Sequence, residues 1–160
     1  MTNIRYLELL EVMTRLLLPF THGIDVSAIA SALALARRFD ATLVLLSLIH
    51  LPQASSKGPR WEDIQQSRDF LEFVHHKASR SGVPVERMEL YTHNPVGSAR
   101  ALAEEMECAG IVLTVRHGAG VLLATHEVKG LLEEKHIPLY VVSLPEKQRW
   151  FSFSRCFRRS

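Results

Sequence analysis

Residues 109–123 read AGIVLTVRHGAGVLL and combine an apolar run of strand length, a basic turn with glycines and the beginning of a helix-length segment. This order is half of a strand-loop-helix unit, whose loop can hold an anion at the helix N-terminus. We interpret the apolar run as the fourth strand of a sheet and the residues from Leu122 to Lys135 as the last helix. The rest of the chain is predicted to be scaffold around this unit.

The chain before this stretch alternates apolar runs with amphipathic segments. Residues 16–20 and 41–50 are apolar without alternation, which is typical of strands buried on both faces of a parallel sheet. Residues 85–92 alternate polar and apolar side chains, which indicates a strand at the edge. Helical spacing of apolar residues predicts a helix after each of these strands. The first helix is capped by Asp25 or Ser27, and the second spans residues 61–81.

Four strand-helix pairs followed by a strand at residues 137–142 predict an α/β domain. The expected fold is an open, doubly wound, five-stranded parallel sheet with helices on both faces. We divide the chain into an N-terminal arm (1–14), this domain (15–144) and a basic, aromatic C-terminal tail (145–160). The tail either binds an anionic membrane surface, RNA or a partner protein, or folds back over an exposed apolar patch, or is disordered.

The composition limits the class of protein. With 160 residues, 47% of them hydrophobic, the chain can bury the core of one domain. A net charge of +2 is too small for a dedicated nucleic-acid-binding protein. Cys108 and Cys156 have no metal-binding spacing and indicate a reducing compartment, and no apolar run approaches the roughly 20 residues of a membrane span. We therefore expect a cytoplasmic protein without a transmembrane segment.

Residues 15–144 contain a series of short characteristic stretches: LLLP at 16–19, ASALALARRF at 30–39, ATLVLLS at 41–47, SGVPVE at 81–86, Asn94-Pro95, IVL at 111–113 and residues 138–142. Taken together they resemble the universal stress protein family. Their order and spacing carry the resemblance, which implies a Rossmann-like sheet of the adenine nucleotide alpha hydrolase type with strand order 3-2-1-4-5. Ligands of such sheets bind at the switch point, here between the first and fourth strands.

The resemblance also implies where a nucleotide would bind. Nucleotide-binding members carry an Asp two positions after the first-strand Pro, and then Gly-x-x-Gly, nine residues, and Gly-Ser or Gly-Thr. In this chain Thr21 holds the Asp position, Thr114 and His117 hold those of the loop glycines, and the Gly-Ser pair falls at 125–126 or 127–128. Side chains at the glycine positions should obstruct a phosphate, because glycine allows positive φ and close backbone approach.

These departures favour a non-catalytic regulatory or binding module of the stress response that does not bind ATP in the usual way. The alternative is an ATP- or AMP-binding switch, or a slow ATP hydrolase, with a modified loop in which Arg116 is the phosphate cation. A third hypothesis is an adaptor that acts through its tail. The residues of the modified nucleotide site would be Thr21, Leu48, Arg116, His117, Gly118 and Gly120.

Dimers of the family pair their last strands, and an unpaired strand edge favours such association. We therefore expect a homodimer, formed through Ile137, Leu139, Tyr140, Val141 and Val142.

Four histidines each follow a predicted strand and would reach the same rim of the sheet. They suggest a metal site or a pH-sensitive anion site, or else solvated loop residues. Because their spacing has no ligand signature, we assign no metal-binding and no catalytic residue. The four are His22, His50, His93 and His117.

Overall fold

The computed structural model describes residues 13–52 and 58–146, so most of the predicted arm and tail lies outside the described residues. Strands and helices alternate along the chain. They are β1 (Arg15–Phe20), α1 (Val26–Arg38), β2 (Thr42–His50), α2 (Trp61–Ser81), β3 (Val85–Thr92), α3 (Pro95–Glu105), β4 (Gly110–Arg116), β5 (Ala119–Val121), α4 (Thr125–Leu132) and β6 (Leu139–Ser143).

The five long strands form a parallel sheet in the order β3-β2-β1-β4-β6. This arrangement confirms the predicted doubly wound order, with β6 as the predicted fifth strand. In β1 every residue after Arg15 is buried, and in β2 every residue before His50 is buried. These two strands lie inside the sheet, which explains their continuous apolar sequences. β3 lies at the edge, as its alternating sequence predicts.

The helices cover both faces of the sheet. On one face α1 and α2 pack on β1 and β2, and the rings of Phe20 and Phe70 stack with their centroids 4.0 Å apart. On the other face α3 and α4 pack on residues that include Leu17 and Val44. Successive residues of a strand point to opposite faces, so neighbours in β1 belong to different cores.

Local signals fixed several boundaries. Asp25 is the N-cap of α1, since its carboxylate accepts a hydrogen bond from the Ala28 N–H at 3.0 Å. Asn94 caps α3 in the same way, and Gly82 ends α2 with a φ of 70°. The predicted bounds of the second helix, 61–81, and of the third strand, 85–92, coincide with α2 and β3.

The segment after β4 differs from the prediction. The chain reverses at His117 and Gly118, whose φ angles of 52° and 74° are those of a two-residue hairpin turn, and β5 then pairs antiparallel with β4. The sheet therefore has six strands and is mixed, and the prediction of five parallel strands was incomplete. The last helix is Thr125–Leu132 and does not extend over residues 122–135. Leu122, with a φ of 71°, is not helical, and residues 122–124 connect β5 to the helix.

The end of the domain also differs in detail. The last strand is Leu139–Ser143, and Ile137 precedes it with 9% of its surface exposed, packed in the core beneath α3 and α4. Among the described residues, no helix is long and apolar enough to cross a membrane.

The stacked rings of Phe20 and Phe70 should contribute strongly to stability. We expect Phe70→Ala to lower the free energy of unfolding by about 3–5 kcal/mol, since it leaves a cavity in the core. Phe39→Ala is the matched control, because that ring is 46% exposed, and its loss should be about 1 kcal/mol. Urea unfolding followed by circular dichroism measures both, and equal losses would contradict the expectation.

Candidate functional site

A crevice lies at the carboxyl ends of β1 and β2, against the beginnings of α3 and α4. It adjoins the point where the chain connections change from one face of the sheet to the other. In open α/β sheets this switch point is the usual ligand site. Two of the six predicted site residues, Thr21 and Leu48, line it. The cavity of 290 Å³ is lined by Thr21, His22, Leu48, His50, Asp63, Pro95, Ala124, His126 and Glu127.

A carboxylate lies in the wall of this crevice. Glu127 is only 7% exposed, and its Oε1 accepts hydrogen bonds of 2.7 Å from the Thr21 hydroxyl and from the Ala124 N–H. The bond to Ala124 satisfies a free donor at the start of α4, and the negative charge suits a helix N-terminus. The family resemblance places the Gly-Ser pair at 125–126 or at 127–128, so position 127 either follows the pair or is its first residue. In this chain that position holds a buried acid, Glu127.

Sequence reasoning did not identify Glu127 as a site residue. A Glu in the first helical turn often caps the helix, but that signal is read together with a Ser or Thr at the N-cap. Here the N-cap is Ala124, which has no side-chain acceptor, and the predicted helix began three residues earlier, at Leu122.

Arg116 is not among the residues that line the crevice, and its side chain is bound elsewhere within the protein. Its Nη1 is 2.9 Å from Asp25 Oδ2, its Nη2 is 3.4 Å from Asp25 Oδ1, and its Nε donates to the Pro145 carbonyl at 3.1 Å. The side chains of Arg116 and Asp25 are 15% and 9% exposed. The guanidinium therefore forms a largely buried, two-pronged ion pair with the residue that caps α1.

The other predicted loop residues belong to the hairpin between β4 and β5. His117 and Gly118 form its turn, and the Gly120 N–H donates to the Thr125 hydroxyl at 3.1 Å. A Cβ on Gly120 would collide with the Leu123 carbonyl. Gly120 is thus needed for the close approach of the hairpin to the beginning of α4.

The hairpin also binds the end of β1. The N–H groups of Thr21 and His22 donate to the Leu122 carbonyl at 2.9 and 3.3 Å. Leu122 is buried and has a φ of 71°, a left-handed conformation that costs about 1–2 kcal/mol for a residue with a side chain. Its side chain packs in the core with α1 and α2, which holds the carbonyl in this position. Backbone donors at the mouth of the crevice are therefore occupied.

The four histidines reach the same edge but do not converge. His22 and His50 line the crevice, the His93 ring lies 2.7 Å from the Leu51 carbonyl, and His117 occupies the hairpin turn. Within residues 13–52 and 58–146, no three His, Cys, Asp or Glu side chains are grouped so that they could hold a metal ion.

Two groups with shifted pKa values, Cys108 and Glu134, lie away from the crevice. Burial raises the pKa of the Cys108 thiol, so the thiol stays protonated at neutral pH and is a poor nucleophile. The backbone N–H of His136, together with Arg100, lowers the pKa of the Glu134 carboxyl below its usual range.

The model of the universal stress protein family matches residues 15–143. Similar solved structures include a universal stress protein from Archaeoglobus fulgidus, with 15% identity, a TM-score of 0.66 and coverage of 84% of this chain and 98% of that one. The universal stress protein from the same organism in complex with dAMP has 14% identity, a TM-score of 0.62 and coverage of 81% and 96%.

A universal stress protein family protein from Arabidopsis thaliana with AMP bound has 15% identity, a TM-score of 0.57 and coverage of 81% and 91%. At such identities the likeness concerns the fold. No curated protein sequence matches this chain.

The bond between Thr21 and Glu127 gives a test of the charge in the crevice. Thr21→Asp places a second carboxylate against Glu127, and we expect it to lower the free energy of unfolding by about 2 kcal/mol at pH 7. Thr21→Ser keeps the hydroxyl and is the control, with a loss of less than about 1 kcal/mol.

The loss caused by Thr21→Asp should shrink as the pH falls toward the ordinary pKa of carboxyl groups. Repulsion disfavours the ionised pair in the folded state, so the penalty is full at high pH and protonation relieves it. Urea unfolding at a series of pH values measures this dependence. A loss that stays constant with pH would show that repulsion is not its cause.

Proposed function

This chain belongs to the universal stress protein family, and we propose that it acts there as a non-catalytic regulatory or binding module without a nucleotide in the crevice. The observation that carries the proposal is the charge of the groups at the switch point. The cation predicted for a phosphate is bound to Asp25, and a buried carboxylate, Glu127, lies in the wall.

Charge opposes a phosphate at this position. Two unit negative charges 4 Å apart repel each other by about 4 kcal/mol at an effective dielectric constant of about 20. A phosphate that came this close to Glu127 would meet such repulsion.

Recruiting Arg116 to a phosphate would not remove this cost. Its withdrawal breaks the buried ion pair with Asp25, and breaking such a pair typically costs about 3–5 kcal/mol. The phosphate would also have to compete for backbone donors, such as the N–H groups of Thr21 and His22, that already bond to Leu122. Together these free-energy costs exceed the stabilisation that a few hydrogen bonds from a modified loop would give to a bound phosphate.

The second candidate function is that of an AMP- or ATP-binding switch. Two observations favour it: the cavity of 290 Å³ retains Thr21 and Leu48 in its lining, and solved relatives carry AMP or dAMP. A nucleoside would then occupy the cavity, with its phosphates directed away from Glu127. Direct binding measurements separate the two functions.

We further propose that the module is a homodimer paired through β6. Among the described strands β6 pairs only with β4, so its other edge is available. Val141 in this strand is 50% exposed, and Leu139, Tyr140 and Val142 are partly exposed. Ile137 is buried in the core, and we assign it a supporting role beneath the strand.

Titration calorimetry with ATP, ADP and AMP, with and without Mg²⁺, tests the absence of nucleotide. We expect no saturable heat up to millimolar nucleotide, for the reasons of charge given above. The Archaeoglobus fulgidus protein solved with dAMP, titrated with dAMP, is the positive control. Micromolar binding by this chain would contradict the proposal, and its loss in Arg116→Ala would identify the hairpin as a working phosphate site.

Sedimentation equilibrium tests the dimer. We expect a dimer at micromolar concentration and a monomer for Val141→Lys, because like charges would face each other across paired strand edges. Val26→Lys, at a 58% exposed position on α1, is the matched control and should remain dimeric. If the unmodified chain sediments as a monomer at micromolar concentration, the proposed interface is wrong.

A further inference from the structure

An exposed aromatic surface lies at the N-terminus of α2, and we call it the Trp61 surface. The indole of Trp61 is 65% exposed and Ile24, at the neighbouring loop, is 38% exposed. Such large apolar side chains in a concave surface typically mark a contact site. A depression of 390 Å³ is lined by Ile24, Trp61, Glu62, Gln65, Gln66 and Asp69.

The charged side chains that line this surface are both acidic. Arg60 Nε lies 3.8 Å from Glu62 Oε2, but both side chains are more than 70% exposed. This ion pair is therefore weak, and Glu62 can pair with another cation. The Asp69 carboxylate accepts a hydrogen bond of 3.0 Å from the Gln65 side-chain amide, and both side chains are exposed. The Trp61 surface therefore combines apolar contact area with two available carboxylates, which suits a segment rich in arginine and aromatic residues.

The chain after β6 leaves the domain next to this surface. Leu144 is buried in the same core cluster as Phe20 and Phe70, on the face covered by α1 and α2. The following carbonyl, of Pro145, is bound by Arg116, whose guanidinium also holds Asp25. Asp25 is the immediate chain neighbour of Ile24, so the tail begins beside the Trp61 surface.

The tail has the composition that this surface fits. Residues 147–160 contain no acidic residue, and these 14 residues reach up to about 46 Å when extended. Their cationic and aromatic residues are Lys147, Arg149, Trp150, Phe151, Phe153, Arg155, Phe157, Arg158 and Arg159.

We propose that residues 147–160 bind in cis to the Trp61 surface of their own domain. Aromatic side chains of the tail cover Ile24 and Trp61, and its arginines pair with Glu62 and Asp69. A larger groove of 470 Å³ lies between α1 and α2, but its charged lining is Arg37, Arg38 and Lys77, which repels a basic segment. The tail is thereby withheld from anionic partners. This inference does not depend on whether the crevice holds a nucleotide.

Quenching of Trp61 fluorescence by acrylamide tests the contact in the full-length chain. Trp150→Phe leaves Trp61 as the only tryptophan and keeps an aromatic ring in the tail. Adding Arg155→Gln, Arg158→Gln and Arg159→Gln should raise the quenching constant at least about twofold, because weakened binding exposes the indole. Adding Glu62→Gln and Asp69→Asn should raise it as well.

The control removes the same number of positive charges elsewhere. Arg37→Gln, Arg38→Gln and Lys77→Gln, in the Trp150→Phe background, should leave the quenching constant unchanged. Equal quenching in the parent and in the arginine variant overturns the proposal. Quenching that rises on dilution also overturns it, because the tail of another copy would then cover Trp61. Shielding seen only after phosphatidylserine vesicles or polyuridine are added overturns it in favour of a partner in trans.

Discussion

The buried ion pair between Arg116 and Asp25 is the constraint on which this end of the domain depends. It joins the last residue of β4 to the N-cap of α1, across 91 positions of sequence. Removing one member of such a pair typically costs about 3–5 kcal/mol, since the other charge stays buried. The pair places the hairpin that follows Arg116 over the end of β1, and the contacts of the crevice follow from that placement.

Internal bonds occupy the positions at which an open α/β sheet usually receives a ligand. The Leu122 carbonyl accepts hydrogen bonds from the backbone N–H groups of Thr21 and His22. The Glu127 carboxylate accepts one from the Thr21 hydroxyl. The fold supplies the same edge of the sheet in every doubly wound domain, but the residues at that edge decide what binds. In this chain, backbone donors at that edge are already hydrogen-bonded within the protein, and a carboxylate lies there. Both features disfavour an anionic ligand such as a phosphate.

Elements encoded by neighbouring residues were predictable from the sequence. The bounds of α2 and β3, the cap at Asp25 and the buried character of β1 and β2 all follow from periodicity and turn chemistry within a few residues. The short strand β5 has three residues, too few for a pattern, and its turn uses His117 and Gly118 in place of the familiar Asn-Gly.

The contacts that define the site were not predictable for a different reason. The bond from Thr21 to Glu127 joins residues 106 positions apart, and no local pattern encodes a partner at that distance. The sequence identified Arg116 as a cation at the switch point, but only the structure shows that Asp25 neutralises it.

The same guanidinium connects the crevice with the tail. Arg116 binds Asp25 through its terminal nitrogens and the Pro145 carbonyl through Nε, so one side chain holds both the cap of α1 and the residue that follows β6 and Leu144. A molecule that drew Arg116 into the crevice would have to break both contacts. A ligand of this kind would therefore compete with the cap of α1 and with the Pro145 contact at the same time, which adds to the cost of using Arg116 as a phosphate cation.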